Sequence, residues 1–259
     1  MLGRKQHIDN QDWLNALKGI EQSCSRNHIE ELARRTIADI RQRCSGKRVA
    51  YSWSGGKDSL VLGHLCERAG VKQCFIVISD LEYPAFLQWV TDHMPDELEV
   101  VNTGQNLRWL SKHMDMLFPQ DSATAAKWFS IVQHRGQAKY YKEHHLDMII
   151  LGRRKADGNF CGRGGANIYT NAQGVTRYSP ISAWTHEDVL AYIHYNNIPA
   201  PPFYGWKNGY YCGTHPWAAR QWTGSIENGW REVYDIDKSI VEEAANTIPS
   251  ARTFLNSIR

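Results

Sequence analysis

The stretch Arg48-Val-Ala-Tyr-Ser-Trp-Ser-Gly-Gly-Lys-Asp-Ser59, continued by Leu60-Val-Leu-Gly-His-Leu-Cys-Glu-Arg-Ala69 and closed by Gly70, decides the fold class. Its first half is a short β-favouring run. Two glycines let the chain turn sharply, and the apolar spacing after them is helical, with Gly70 as its C-terminal stop. Strand, glycine loop and helix together form an anion cradle. Gly55 and Gly56 allow successive amide N–H groups to converge, and the helix adds its free N-terminal amides and positive dipole end. The hydroxyls of Ser54 and Ser59 can donate to phosphate oxygens, and Lys57 supplies a compact positive charge. Asp58 is suited to holding the loop, orienting Lys57 or binding Mg²⁺ beside phosphates. The Walker A pattern is not met, because Asp58 follows the lysine and the upstream glycine is missing, which disfavours an ordinary P-loop kinase or GTPase.

Outward from this loop the same alternation continues. Cys74-Phe-Ile-Val-Ile-Ser79 predicts a second strand, followed by Asp80 and a helix from Pro84 to about His93. Leu98-Glu-Val-Val101 and Leu146-Asp-Met-Ile-Ile-Leu151 predict two more strands, the last after a helix from about Lys127 to His144. Strands alternating with helices imply an α/β fold, a doubly wound, mostly parallel sheet with helices on both faces. Ligands in such sheets gather at the carboxyl ends of the strands. The polar clusters Ser54–Ser59, Asp80–Glu82 and Gly152–Lys155 fall there. Arginine's planar fork suits bidentate phosphate or sulfate binding, so Arg153 and Arg154, with Gly152 and Lys155, are candidate anion ligands. Asp80 suits either a turn or a ribose or metal contact.

Residues 1–47 read as a helical extension, with Ile29, Leu32, Ile37 and Ile40 at helical spacing; 48–200 read as the nucleotide-binding α/β domain. Residues 201–259 form an irregular Trp/Gly-rich region. Within it 203–232 are expected to be an ordered loop, with short helices over Asp235–Ala245 and Ser250–Ile258. Thr185-His-Glu-Asp188 marks a helix start, capped by Thr185 and otherwise solvent-facing.

Composition narrows the class further. The 259 residues carry 30 basic and 27 acidic side chains, a net charge of +3, with 42% hydrophobic and 22% charged residues. This excludes a disordered or collagen-like chain and argues against tight autonomous nucleic-acid binding. No apolar run approaches the roughly 18 residues of a membrane span. The start Met1-Leu-Gly-Arg-Lys-Gln-His7 lacks a secretory apolar stretch, so a cytoplasmic location with reduced thiols is expected. The six cysteines form no C-x-x-C or adjacent pair, so no iron–sulfur cluster is expected. The ten tryptophans read as aromatic packing more readily than as a base-stacking surface.

Ser54-Gly-Gly-Lys-Asp-Ser59 resembles the PP-loop of the N-type ATP pyrophosphatases. More narrowly, the chain resembles the branch holding phosphoadenosine phosphosulfate (PAPS) reductases and the small subunit of bacterial ATP sulfurylase. Val77-Ile-Ser-Asp-Leu-Glu-Tyr-Pro84, Leu151-Gly-Arg-Arg-Lys-Ala-Asp-Gly158 and Tyr178-Ser-Pro-Ile-Ser-Ala-Trp-Thr-His-Glu-Asp188 match its further segments in order. The resemblance implies a Rossmann-like PP-loop fold, an adenine nucleotide as ligand and Mg²⁺ held mainly by its phosphates. It departs from the reductase pattern, whose nucleophilic cysteine lies in Glu-Cys-Gly-(Ile/Leu)-His near the C-terminus. Here the nearest text is Tyr211-Cys-Gly-Thr-His215, without the glutamate, so Cys212 reads either as that nucleophile or as a packed loop thiol. The expected reaction is ATP cleavage at the α-phosphate with adenylyl transfer, in which Lys57, Arg153 and Arg154 stabilise the leaving pyrophosphate. The alternatives are thiol-dependent reduction of adenylyl or phosphoadenylyl sulfate, and a partner-dependent subunit of a nucleic-acid sulfur-modification system. A protein partner could dock on the aromatic C-terminal region or the N-terminal helices, and a homo-oligomer is possible.

Overall fold

A computed structural model describes Leu2 and residues 8–258; apart from Leu2, the N-terminal stretch read above for a leader lies outside the described residues. Six strands make one sheet: β1 (Val49–Ser52), β2 (Cys74–Ile78), β3 (Leu98–Asn102), β4 (Met148–Ile150), β5 (Ile168–Thr170) and β6 (Thr176–Tyr178). Their order is β3-β2-β1-β4-β6-β5, parallel throughout except for the β5–β6 pair. Consecutive residues of β1 (Val49, Ala50, Tyr51) and all of β4 are buried. Since neighbouring side chains in a strand point to opposite faces, both faces of the sheet centre are covered. The chain runs from β1 outward to β3 and then returns to β4 on the other side of β1. That reversal leaves a crevice at the carboxyl end of β1, where the glycine loop sits.

Helix Lys57–Ala69 packs against Arg26–Cys44 and His186–Tyr195, which also touch each other. Helix Asn10–Lys18 contacts His186–Tyr195, so the N-terminal helices lie directly on the α/β body through buried Trp13, Ile29, Ile37 and Ile40. Helix Arg135–Glu143 packs on β2 and β3. The expected helix near 127–144 starts earlier, at Ser122 capped by Asp121. It passes through one π-helical turn, Ser130–His134, before Arg135–Glu143. Among the described residues no helix is long and apolar enough to cross a membrane.

Three local expectations need correction. The β5–β6 hairpin was not expected; its strands are three residues each around a turn closed by the Asn171 side chain, too short to show a period. Residues 203–232 are not all loop. Ser225 caps a helix over Ile226–Ile236 that buries Trp230 and Val233 one turn apart, and this helix packs with Lys238–Ala244 and Pro249–Ser257. Finally, Thr185 does cap its helix in a reciprocal box with Asp188, but His186 and Asp188 are not solvent-facing. They are 3% and 7% exposed, because this first turn is pressed between the N-terminal helices and the segment after β4.

Candidate functional site

The glycine loop is tightly specified. Gly55 has φ +69°, and a Cβ there would lie 3.0 Å from Phe86 and 3.1 Å from Trp89, so both the backbone and the space demand glycine. Ser59 Oγ accepts from Ser54 N (3.0 Å) and donates to Gly56 O (2.9 Å), tying the loop's two ends together. Helix Lys57–Ala69 starts at Gly56, which offers no side chain to cap it. The Lys57 amide instead donates to the Tyr204 hydroxyl at 2.5 Å. A Cβ on Gly56 would lie 3.5 Å from that hydroxyl and 3.6 Å from Thr214 Cγ2, so the segment 203–215 lies over the mouth of the loop.

On the β4 side, the loop meets charge. Lys57 Nζ lies 2.7 Å from Asp58 Oδ2 and 3.8 Å from Asp157 Oδ1, and 5.2 Å above the Trp13 ring. Arg154, fully buried, reaches Asp58 Oδ1 (2.6 Å), Asp157 Oδ2 (3.0 Å), the Trp184 carbonyl (3.2 Å) and His186 Nδ1 (3.1 Å). Two cations thus face two carboxylates. Burial, and then the Arg154 charge, push His186 down to about 4, so it is neutral at neutral pH. A Cβ on Gly152, two residues past β4, would lie 3.3 Å from the Asp58 carbonyl carbon and oxygen, so glycine lets the two backbones approach there. Arg153 turns the other way, to His134 Nε2 (3.1 Å), Tyr169 Oη (3.4 Å) and the Phe160 carbonyl (3.4 Å). Lys155 Nζ donates to the Gly165 carbonyl at 2.5 Å. Both Asp58 oxygens are within 2.7 Å of cations, so this carboxylate does not fit a direct Mg²⁺ ligand.

The acidic turn after β2 splits. Asp80 is exposed and accepts from Asn102 Nδ2 at 2.5 Å. Glu82 is buried and accepts from Ser79 N (3.0 Å) and Oγ (3.1 Å); its other oxygen has no partner, and burial raises its carboxyl to about 7. Cys212 ends the short helix Gly209–Cys212. It is buried and lines a small cavity with Tyr83, His215 and Arg220. Arg220 Nε donates to Glu232 Oε2 at 2.6 Å.

The loop, Gly152, Arg154 and Lys57 are therefore brought together, Arg153 and Lys155 flank them, and Asp80 stands at the neighbouring strand end. Sequence reading did not single out Trp13, Asp157, His186 or Tyr204. Asp157 lay within the quoted Leu151–Gly158 stretch, whereas Trp13 and Tyr204 carry no local signal, since they reach the loop only through tertiary packing. A groove of about 630 Å³ lined by Trp53, His64, Trp89 and His93 opens nearby, but none of residues 54–59 lines it.

The phosphoadenosine phosphosulfate reductase domain matches residues 48–212, from the start of β1 to Cys212. The chain belongs to that family. A phosphoadenosine 5′-phosphosulfate reductase of Vibrio parahaemolyticus is 23% identical over 180 residues, covering 67% of each chain. The phosphoadenosine phosphosulfate reductase of Saccharomyces cerevisiae is 29% identical over 89 residues, and the match spans only 33% of its length and 34% of this chain. A phosphoadenylyl-sulfate reductase from Candida auris, solved as a phosphate complex, superposes with a TM-score of 0.51 at 18% identity, covering 69% of this chain and 90% of its own. The PAPS reductase family is one of PP-loop enzymes, and the six-stranded sheet with its glycine loop at the end of β1 has that fold.

Proposed function

We propose that this PAPS reductase-family chain binds an adenine nucleotide with its anhydride over the 54–59 loop and acts on adenylyl or phosphoadenylyl sulfate. The observation that carries this reading is the seating of the Cys212–His215 turn on the loop, with Thr214 packed beside Gly56. The thiol two residues from that contact is buried, and it reaches a group bound at the loop mouth once this segment moves. The relatives named as PAPS reductases move reduction ahead of the adenylyl transfer expected from the sequence.

In this reading the loop amides and the dipole of helix Lys57–Ala69 hold the α-phosphate. Arg153, which has no carboxylate among its contacts named above, faces the outer anion. Arg154 and Lys57 act through Asp58 and Asp157, fixing the loop's shape rather than touching phosphate. The Cys212 thiolate, steadied by nearby Arg220, attacks the sulfur of the sulfate group. A Cys–S–SO₃⁻ bond forms, the S–O bond to phosphate breaks, and the nucleoside phosphate leaves with the electron pair. An external dithiol then attacks the cysteine sulfur and releases sulfite, and its second thiol restores Cys212. Cys212 is buried in this conformation, so segment 201–215 must lift for the first step. Mg²⁺, if bound, is held by phosphates.

A second reading is adenylyl transfer from ATP with pyrophosphate release, favoured by the same loop, which would grip either anhydride. Calorimetric titration with ATP, adenylyl sulfate and phosphoadenylyl sulfate separates the two. Tighter binding of a sulfated nucleotide, together with loss of dithiol-dependent sulfite release in Cys212→Ser, is expected. Triphosphate preference with Mg²⁺-dependent pyrophosphate release would overturn the first reading in favour of the second.

A further inference from the structure

We propose that Cys24, His28 and Asp188 form a site for a divalent metal ion of the zinc class, fastening the N-terminal helices to the α/β body. This inference does not rest on the functional reading above. One ligand atom from each residue lies within 4.8 Å of the other two. His28 Nε2 is 2.8 Å from Asp188 Oδ1, and Cys24 Sγ is 3.9 Å from the same oxygen. A tetrahedral ion with bonds of about 2.0–2.3 Å sets its ligands roughly 3.3–3.7 Å apart. Binding therefore requires the His28–Asp188 contact to open by about half an ångström and the sulfur to close in by a few tenths.

Each ligand sits on backbone that is already held. The Tyr195 hydroxyl donates to the Cys24 carbonyl (2.7 Å), and Ser25 Oγ caps helix Arg26–Cys44 by accepting from the His28 amide (3.3 Å). The second oxygen of Asp188 accepts from the Thr185 amide (2.8 Å), which orients the first toward the cluster. Such outer contacts are what a metal site needs to keep its ligands aimed. Cys24 and His28 stand four residues apart across the start of one helix, and Asp188 comes from the first turn of His186–Tyr195.

The donor set also selects the ion. Thiolate and imidazole favour zinc over the hard cations Mg²⁺ and Ca²⁺, which take oxygen. His28 is about half exposed while Cys24 and Asp188 are buried, which gives an ion a path in from solvent and a covered seat. A fourth position remains for water.

The test uses the full-length, untagged, reduced chain titrated with Co²⁺ as a spectroscopic stand-in for zinc. One equivalent is expected to give a thiolate-to-cobalt charge-transfer band and four-coordinate visible bands, both removed by added Zn²⁺. Cys24→Ser should abolish the charge-transfer band, and His28→Ala should weaken Zn²⁺ binding at least tenfold, with nucleotide affinity unchanged in both. As a check that needs no variant, Zn²⁺ should protect Cys24 from alkylation in peptide mapping of the parent protein. Absence of the band in the parent, its survival in Cys24→Ser, or equal Cys24 alkylation with and without Zn²⁺ would overturn the proposal and leave His28–Asp188 as an ordinary ion pair.

Discussion

The glycine loop is held from two sides by seams of opposite chemistry. Toward β4 it meets a buried ionic seam, Lys57 and Arg154 against Asp58 and Asp157, all contributed by the 48–212 core of the family match. Toward the outside it meets an aromatic seam. Trp13 stacks on Tyr210 (5.0 Å), Tyr210 stacks on Tyr204 (4.3 Å), and the Tyr204 hydroxyl takes the first amide of the helix. Asn10 pins this cover, donating to the Tyr204 and Trp206 carbonyls (3.0 and 3.2 Å) and accepting from the Tyr210 amide (2.9 Å). The difference teaches where rigidity and movement lie. A largely buried four-charge network resists separation, whereas stacked rings, the Asn10 contacts and the Tyr204 hydroxyl bond part at smaller cost when a ligand competes for the amide.

Breaking the ionic seam should have the largest effect. Asp157→Ala leaves Arg154 and Lys57 with one carboxylate between them in a dry site, and a loss of about 3–5 kcal/mol is expected in urea unfolding. A loss below 1 kcal/mol would mean that the seam is wetter than the structure indicates. Gly55→Val comes next. It forces a β-branched residue to positive φ against Phe86 and Trp89, costing about 3 kcal/mol and nucleotide binding with it. Near-parental affinity in this variant would remove the loop from the ligand site.

The side of the aromatic cover responds to pH. Glu82 lies beside the chain that continues from the cover, where the neighbouring Leu81 carbonyl accepts from Trp217 N at 2.9 Å. Its carboxyl is raised to about 7 in the fold from an ordinary 4.5, so the folded state holds the proton more tightly. That contribution is complete below pH 4.5 and is lost as pH rises through about 7. Glu82→Gln should therefore gain about 2–3 kcal/mol on the parent between pH 5 and pH 8, seen in unfolding curves at both values. A pH-independent difference would show the carboxylate to be solvated. The smallest effect belongs to Tyr204→Phe, which gives up one hydrogen bond, about 1 kcal/mol of stability. Because the freed amide becomes available, nucleotide affinity should hold or rise in calorimetry. A clear fall would make Tyr204 a ligand contact instead of a competitor.

Much of the ionic side was legible before the structure. Gly55 and Gly56 announced the turn, and Lys57, Asp58, Arg153 and Arg154 stood out as charges directly after apolar runs. Their pairing was not legible. Arg154 reads as an anion ligand in sequence, yet its guanidinium is buried on Asp58 and Asp157. His186 reads as an exposed first-turn residue, yet it lies under Trp13, with ring centroids 4.7 Å apart. Cap chemistry is local and shows in four residues, but which face of that turn is covered depends on a helix some 170 residues away in the chain.

By itself, the chain's order of residues determined the alternating strands and helices, the loop at the end of β1 and the family, because periodicity, glycine placement and caps act within a few residues. The tertiary structure alone decided which charges neutralise one another, which aromatic rings close over the loop, and that Cys24 and His28 meet Asp188. Those outcomes depend on contacts between distant segments, whose energies arise from burial and close approach and leave no local pattern to read.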